Sequence, residues 1–187
     1  MKEKIRNFII FAAVILVAFL LQNAFSLALP QEVSTPNLLL IVVCFFGLMC
    51  GSNKGIAIGF ACGLLVDVFY GDVIGFNALI YMYCGLFSGI FRRWFYSEII
   101  IMPLLLVFIN DFMFNTVYYG FRLLLRNKLD YPYYFEKIIL PEMIITTFCA
   151  LIVYKLFYLL NEKVISKEQR SALSFDKWFF IYDFKNN

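Results

Sequence analysis

Residues 47–71 read GLMCGSNKGIAIGFACGLLVDVFYG, with glycine at every fourth position from Gly47 to Gly63 and an aspartate, Asp67, at the next step. Nine of the ten glycines of the chain lie between positions 47 and 89, so the spacing is not the background of a glycine-rich sequence. In an α-helix a step of four residues turns about 40° further than one full turn, so these glycines form one slowly winding stripe. Small residues at this spacing let helix backbones approach closely inside a bilayer. The segment therefore predicts tightly packed membrane helices.

The composition of the whole chain also indicates a membrane protein. Of its 187 residues, 63% are hydrophobic and only 16% are charged, whereas soluble domains have about 45–50% and about 25%. The mean hydropathy is +0.81. A soluble domain of this size could not cover so much apolar surface. We therefore predict an all-α polytopic membrane protein.

The hydrophobic segments predict a transmembrane helical domain over residues 1–160. A helix needs about 20 apolar residues to cross the hydrocarbon core, and six spans are expected, at about 8–28, 36–51, 55–71, 74–91, 99–121 and 138–160. Five spans are the alternative, because the second to fourth segments are short and could form two longer helices. Residues 161–187 are charged and then aromatic, and they predict a cytoplasmic tail on the membrane surface.

The distribution of Lys and Arg predicts the orientation, since these residues are enriched on the cytoplasmic side. With both termini in the cytoplasm, nine of them fall in inner segments: Lys2, Lys4, Arg6, Lys54, Arg92, Arg93, Lys163, Lys167 and Arg170. Four fall in an outer segment: Arg122, Arg126, Lys128 and Lys137. We expect both termini to be cytoplasmic, and we interpret the basic, Tyr-rich segment 122–137 as an outer loop that is ordered or bound to a partner.

Three groups of candidate functional residues follow from these patterns. The helix-packing group comprises Gly47, Gly51, Gly55, Gly59, Gly63, Gly85 and Gly89. The second group is an intramembrane polar cluster of Asp67, Asn77, Asp111, Asn115 and Glu142 in the outer half of the bilayer, with Asn110 at a similar depth. The outer-loop group is Arg122, Arg126 and Lys128. A carboxyl group inside a bilayer is costly unless it is protonated, paired or hydrated, so the cluster predicts either an outward-opening polar cavity or a hydrogen-bond network between helices.

Several classes of chemistry are disfavoured. The chain has no histidine, which excludes His-based zinc sites and Ser–His or Cys–His dyads. Its five cysteines lie in apolar stretches and form no C-x-x-C pair, so neither a metal knuckle nor a disulfide framework is expected. A net charge of +3 does not indicate nucleic-acid binding. We expect no cofactor and no metal.

The order of motifs between positions 30 and 90 resembles one protein family. Pro36-Asn37-Leu38-Leu39-Leu40 opens the second span, Gly59-x-x-x-Gly63-Leu64-Leu65-x-Asp67 follows in the third, and Gly75-x-Asn77-Ala78-Leu79 opens the fourth. This series resembles the rod shape-determining protein MreD family of small bacterial membrane proteins. Where the family often has Asp after the proline, this chain has Asn37.

The resemblance implies a non-enzymatic scaffold of the bacterial cell-elongation machinery, which synthesises peptidoglycan in the inner membrane. It implies a bitopic MreC-like partner, together with RodA, a class B penicillin-binding protein and the MreB filament. The family is also similar in fold to the substrate-binding subunits of energy-coupling-factor vitamin transporters, so such a subunit is the alternative function. An intramembrane enzyme is the third hypothesis, and the absence of histidine disfavours it.

Overall fold

The computed structural model describes residues 2–28, 35–71, 73–94, 101–126 and 131–160, and in this part of the chain there are six main helices and no strand. They are α1 (Lys2–Ala28), α2 (Leu38–Cys50), α3 (Ser52–Tyr70), α4 (Phe76–Ile90), α5 (Ile101–Arg126) and α6 (Leu140–Leu160). A 3₁₀ turn, Phe91–Trp94, follows α4. A helical turn, Tyr131–Tyr134, and a π-helical turn, Phe135–Ile139, lead directly into α6.

Four of these helical segments are long and apolar enough to cross a membrane: Ile9–Ala28, Ser52–Tyr70, Ile101–Phe121 and Phe135–Lys155. The protein is therefore an integral membrane protein, as its composition predicts. α2 and α4 are apolar but shorter, with 13 and 15 residues. At 1.5 Å per residue α2 is about 20 Å long, which is less than the hydrocarbon core of about 30 Å.

The segment that was predicted as an outer loop contains further helix in the structure. α5 does not end near position 121 but continues to Arg126, and the chain is helical again from Tyr131 onwards. Most of segment 122–137 is therefore helical. The physical reason is that Leu and Arg are good helix formers, and a helix that leaves the bilayer keeps its internal hydrogen bonds in water.

α2 is the central helix of the bundle. Every residue from Leu38 to Met49 is buried, and α2 contacts α1, α3, α4, α5 and α6. Its sequence is apolar on all sides, as expected for a helix that is surrounded by protein. A short helix can lie at this position because its ends meet other helices rather than lipid.

α3 and α4 form an antiparallel hairpin in which the backbones are in contact. A Cβ atom added to Gly59 would overlap the backbone of Tyr81, and one added to Gly63 would overlap the backbone of Ala78. Likewise, a Cβ atom on Gly89 would overlap the backbone of Ser52. No side chain larger than hydrogen fits at these positions, so the spacing of four places the two helix axes close together.

Three helices meet at one point of this packing. A Cβ atom on Gly55 of α3 would lie 2.5 Å from the carbonyl oxygen of Gly85 in α4 and 3.0 Å from the Cα atom of Gly47 in α2. A Cβ atom on Gly47 would lie 2.9 Å from the same carbonyl oxygen. Glycines from α2, α3 and α4 thus meet on the inside of the bundle.

Gly51 belongs to the same sequence series but has a different conformation. It links α2 to α3 with a φ of 89°, a backbone conformation that favours glycine. This turn lies at the end of the bundle that we call the Gly51 end, and the opposite end, where α3 joins α4, is called the Asp67 end. Contacts of α5 with α4 (Asn110 to Ser88) and of α6 with α2 (Asn37 to Thr146) place the start of α6 and the latter half of α5 towards the Asp67 end.

Candidate functional site

Asp67, near the end of α3, accepts four hydrogen bonds from the beginning of α4. Its Oδ2 accepts from the backbone N–H groups of Gly75 at 2.9 Å and Ala78 at 3.0 Å. Its Oδ1 accepts from the backbone N–H and the side-chain Nδ2 of Asn77, both at 3.0 Å. The side chain is 2% exposed. All four contacts join α3 to α4, so the carboxylate acts as an N-terminal cap supplied by the neighbouring helix.

This cap explains the spacing of the motif in physical terms. The first N–H groups of a helix have no partner within the helix, and inside a membrane there is little water to replace one. A negative charge at a helix N-terminus also interacts favourably with the helix dipole. Gly75, with a φ of 99°, forms the turn that brings these N–H groups to the carboxylate. Asp67 and Asn77 therefore belong to the hairpin joint.

The N-terminus of α2 is capped in a comparable way by amide side chains. Asn37 Oδ1 accepts from the backbone N–H of Leu40 at 3.1 Å, and Gln22 Oε1 of α1 accepts from the backbone N–H of Leu39 at 3.1 Å. Tyr81 of α4 donates its hydroxyl to Asn37 Oδ1 at 2.8 Å. Both short helices thus begin inside the protein with capped N-terminal N–H groups.

Asn37 also connects α2 to α6, because its backbone N–H donates to Thr146 Oγ1 at 3.2 Å. The Thr146 hydroxyl lies beside the carboxyl group of Asp111 on α5. A chain of polar groups therefore runs from Tyr81 through Asn37 and Thr146 to Asp111. It crosses an otherwise apolar core and joins α4, α2, α6 and α5.

Asp111, Asn115, Glu142 and Thr146 form the second polar group, which we call the α5–α6 acid group. Asn115 Nδ2 donates to the backbone carbonyl of Asp111 at 3.1 Å and approaches Asp111 Oδ1 at 3.4 Å. Glu142, in the first turn of α6, lies beside the Asn115 amide and close enough to Asp111 for their charges to interact. Asp111 is fully buried, yet its Oδ2 has no hydrogen-bond partner.

Asn110 lies beside this group but faces α4. Its Nδ2 donates to Ser88 Oγ at 3.1 Å and to the backbone carbonyl of Leu106 at 2.8 Å, while its Oδ1 is buried without a partner. At the Gly51 end, Arg92 Nη1 donates to the backbone carbonyl of Cys50 at 3.2 Å. A cation at a helix C-terminus is favourable for the dipole, so Arg92 caps α2 at its other end.

The structure thus divides the predicted polar cluster into two groups. Asp67 and Asn77 lie together between α3 and α4, whereas Asp111, Asn115 and Glu142 lie together between α5 and α6. The prediction of the outer-loop group falls largely outside the described residues. Arg122 and Arg126 lie on the helical backbone of α5 and their side chains are not described, and Lys128 and the predicted tail at 161–187 are not described at all.

Sequence reasoning did not identify Gln22, Tyr81, Ser88 or Thr146 as members of these groups. A signal exists for Gln22, because a Gln inside an apolar span is unusual. The role of Asn37, the partner of Tyr81 and Thr146, also has a signal, because an Asn directly before a helix is a preferred N-cap residue. The partners could not be found this way, because Asn37 and Thr146 are 109 positions apart.

Comparison with known families tests the resemblance directly. The family model described as rod shape-determining protein MreD matches residues 2–164. The chain belongs to the MreD family. The match includes all six helices, the Asp67 cap and the α5–α6 acid group, and MreD membership assigns the protein a role in rod shape determination. Searches of curated proteins and of solved structures give no match, so the similarity to vitamin-transporter subunits stays a prediction.

The polar side chains of the two groups in this MreD protein connect helices of the bundle. In the part of the chain that the structure describes, no set of three or more His, Cys, Asp or Glu side chains is placed to hold a metal ion. The cysteines found there are free, and three of them, Cys44, Cys62 and Cys84, are buried. The polar side chains mainly cap helix ends and connect helices to one another.

Proposed function

We propose that this MreD-family protein is a non-enzymatic membrane scaffold of the cell-elongation machinery, and that it binds the transmembrane helix of an MreC-like bitopic protein. Membership of the family supports the role in rod shape. The scaffold role is supported by the way buried polar groups are used, since most of them join one helix of the bundle to another. RodA and a class B penicillin-binding protein are the further partners we propose.

A groove between α4 and α5 carries the proposal of a bound helix. It has a volume of about 380 Å³ and is open on one side. Its lining is apolar except for Asn110, and it includes Tyr83, Phe87, Met113 and Val117. Since lipid chains are as apolar as this lining, a protein helix would bind by close packing rather than by the hydrophobic effect.

The packing on the other side of α4 supports the same function. α4 is held against α3 and α2 by backbone contacts at glycine and by the four hydrogen bonds of Asp67. One wall of the groove is therefore fixed in position. A preformed surface binds with a smaller loss of conformational entropy than a flexible one, which suits a scaffold.

We further propose that all six helices are inserted in the inner membrane, with both termini and the tail at 161–187 in the cytoplasm. The Asp67 end of the bundle then faces outwards. In this orientation Arg122, Arg126 and Lys128 lie at the outer surface, where they would contact the extracytoplasmic part of a partner. The excess of Lys and Arg in the predicted inner segments supports this orientation.

Filling the groove tests the proposal. Val117→Trp adds a bulky apolar side chain at a residue that is 47% exposed and lines the groove. We expect recovery of the MreC-like partner in co-purification from detergent extracts to fall about tenfold, which corresponds to about 1.4 kcal/mol. Ile144→Trp on the lipid-facing side of α6, where Ile144 is 57% exposed, is the matched control and should leave recovery unchanged.

Depletion provides the test in cells. Loss of the protein should produce rounded cells, and Val117→Trp should restore the rod shape less well than Ile144→Trp at equal membrane abundance. Equal partner recovery with both variants would contradict binding in the groove. Cells that stay rod-shaped after depletion would contradict the scaffold function itself.

A further inference from the structure

Asp111 has a buried carboxyl group with fewer hydrogen-bond donors around it than its two oxygens can accept. Its side chain has 0% exposure, and its Oδ2 lies in the interior with no hydrogen-bond partner. Its Oδ1 has only the long contact of 3.4 Å with Asn115 Nδ2, besides the nearby Thr146 hydroxyl. In a membrane interior a carboxylate with so few donors is costly unless a positive charge is bound to it.

Among the side chains that the structure describes, those around Asp111 supply no such charge. The titratable side chains that face it are Cys44 on α2, Tyr81 and Cys84 on α4 and Glu142 on α6. None of these is a cation.

Glu142 adds a second acid rather than a counter-ion. It is half-buried in the first turn of α6, close to both Asp111 and the Asn115 amide. Two ionised carboxylates at this distance repel each other, and the repulsion is strong where the dielectric constant is low. A single bound positive charge removes most of this cost, and carboxylate and hydroxyl oxygens are ligands that small hard cations prefer.

We propose that Asp111 and Glu142, with Asn115 and Thr146 beside them, form a binding site for one exchangeable monovalent cation, either a proton or Na⁺. The cation binds to Asp111 Oδ2, the oxygen that has no hydrogen-bond partner among the residues that the structure describes. Because Glu142 is nearer the Asp67 end and is only half-buried, it is the group through which the cation enters and leaves. The scaffold function does not require this site, so the two proposals can fail independently.

Infrared difference spectroscopy of the full-length protein in lipid nanodiscs tests the site, because it detects the protonation state of buried carboxyl groups without a chemical label. The C=O stretch of a protonated carboxyl group is separate from the carboxylate bands, so exchange can be followed directly. We expect this band to decrease when the pH is raised at constant ionic strength, which identifies a proton. A decrease on replacing K⁺ by Na⁺ at constant pH identifies Na⁺ as the occupant.

Two isosteric variants assign the band to the site. Asp111→Asn and Glu142→Gln should each abolish or shift the changing band, and Glu142→Gln is the safer variant for folding because its side chain is only half-buried. Asp67→Asn is the comparison variant, because Asp67 lies between α3 and α4 and outside the α5–α6 acid group, and the changing band should persist in it. A spectrum that responds neither to pH nor to Na⁺ would overturn the proposal. So would a changing band that persists in both variants.

Discussion

The α3–α4 and α5–α6 helix pairs each bury an aspartate inside the membrane bundle, but they surround it differently. Asp67 in the first pair accepts four hydrogen bonds of 2.9–3.0 Å. Asp111 in the second pair has an oxygen without any partner. The first carboxylate is part of a joint between two helices, whereas the second still has capacity to bind something. Burial alone therefore does not distinguish a structural acid from a binding site, but the number of donors does.

The backbone contacts of α3 and α4 should give the largest effect on substitution. In Gly63→Leu the new side chain would overlap the backbone of Ala78, and backbone atoms cannot move aside as a flexible side chain can. We expect a loss of about 3 kcal/mol in the free energy of unfolding, measured by denaturant titration in detergent, together with lower abundance in the membrane.

Gly120→Leu on α5 is the matched control for this change. A Cβ atom at Gly120 meets nothing within 4 Å, and replacing a helical glycine by leucine gains helix propensity of about 0.5–1 kcal/mol. The control should therefore be as stable as the wild type or slightly more stable. Wild-type stability of Gly63→Leu would contradict the close packing of α3 against α4.

The cap at Asp67 should give the next largest effect. Asp67→Asn keeps the shape of the side chain but replaces one acceptor oxygen by an NH₂ group, so two of the four N–H donors lose their partner. At about 1 kcal/mol for each lost hydrogen bond, we expect a destabilisation of about 2 kcal/mol by thermal unfolding. Hydrogen exchange at the amides of Asn77 and Ala78 should become faster, and unchanged exchange there would contradict the cap.

The Tyr81–Asn37 contact should give a smaller effect. Tyr81→Phe removes the hydroxyl group that donates to Asn37 Oδ1 at 2.8 Å inside the core, so we expect a loss of about 1 kcal/mol in the free energy of unfolding. Tyr83→Phe on the same helix is the control, because Tyr83 is 63% exposed. If both variants lose the same stability, the hydrogen bond between α4 and α2 contributes nothing.

Asp111→Asn should give the smallest effect on stability. It is compared directly with Asp67→Asn, because both variants make the same substitution at a buried aspartate. The substitution replaces a buried carboxyl group that has few donors by an uncharged amide of the same shape, and we expect a change in the free energy of unfolding of less than about 1 kcal/mol. Thermal unfolding of both variants in the same Na⁺-free buffer measures the difference. A loss of stability as large as that of Asp67→Asn would contradict the difference in hydrogen bonding between the two acids.

The membrane class and the hairpin followed from the sequence because they depend on local properties. Apolar segments of sufficient length specify membrane helices, and glycine spacing specifies where they can approach each other. Asp67 and Asn77 are ten positions apart on either side of one turn, so their joint appears in the sequence as a motif. The chain from Tyr81 through Asn37 and Thr146 to Asp111 does not, because it depends on the rotation of four helices relative to one another.

By itself, the sequence determined that this protein is helical and lies in a membrane, because composition and the length of the apolar segments suffice for both. Its motifs also resemble the MreD family, which the family model confirms. Only the tertiary structure decided which of the buried acids is fully hydrogen-bonded. Asp67 and Asp111 look alike in the sequence, since each is an aspartate within an apolar helix. The difference lies in the groups that face them. Asp67 faces the N-terminal N–H groups of α4, whereas Asp111 faces a second acid, Glu142, on α6.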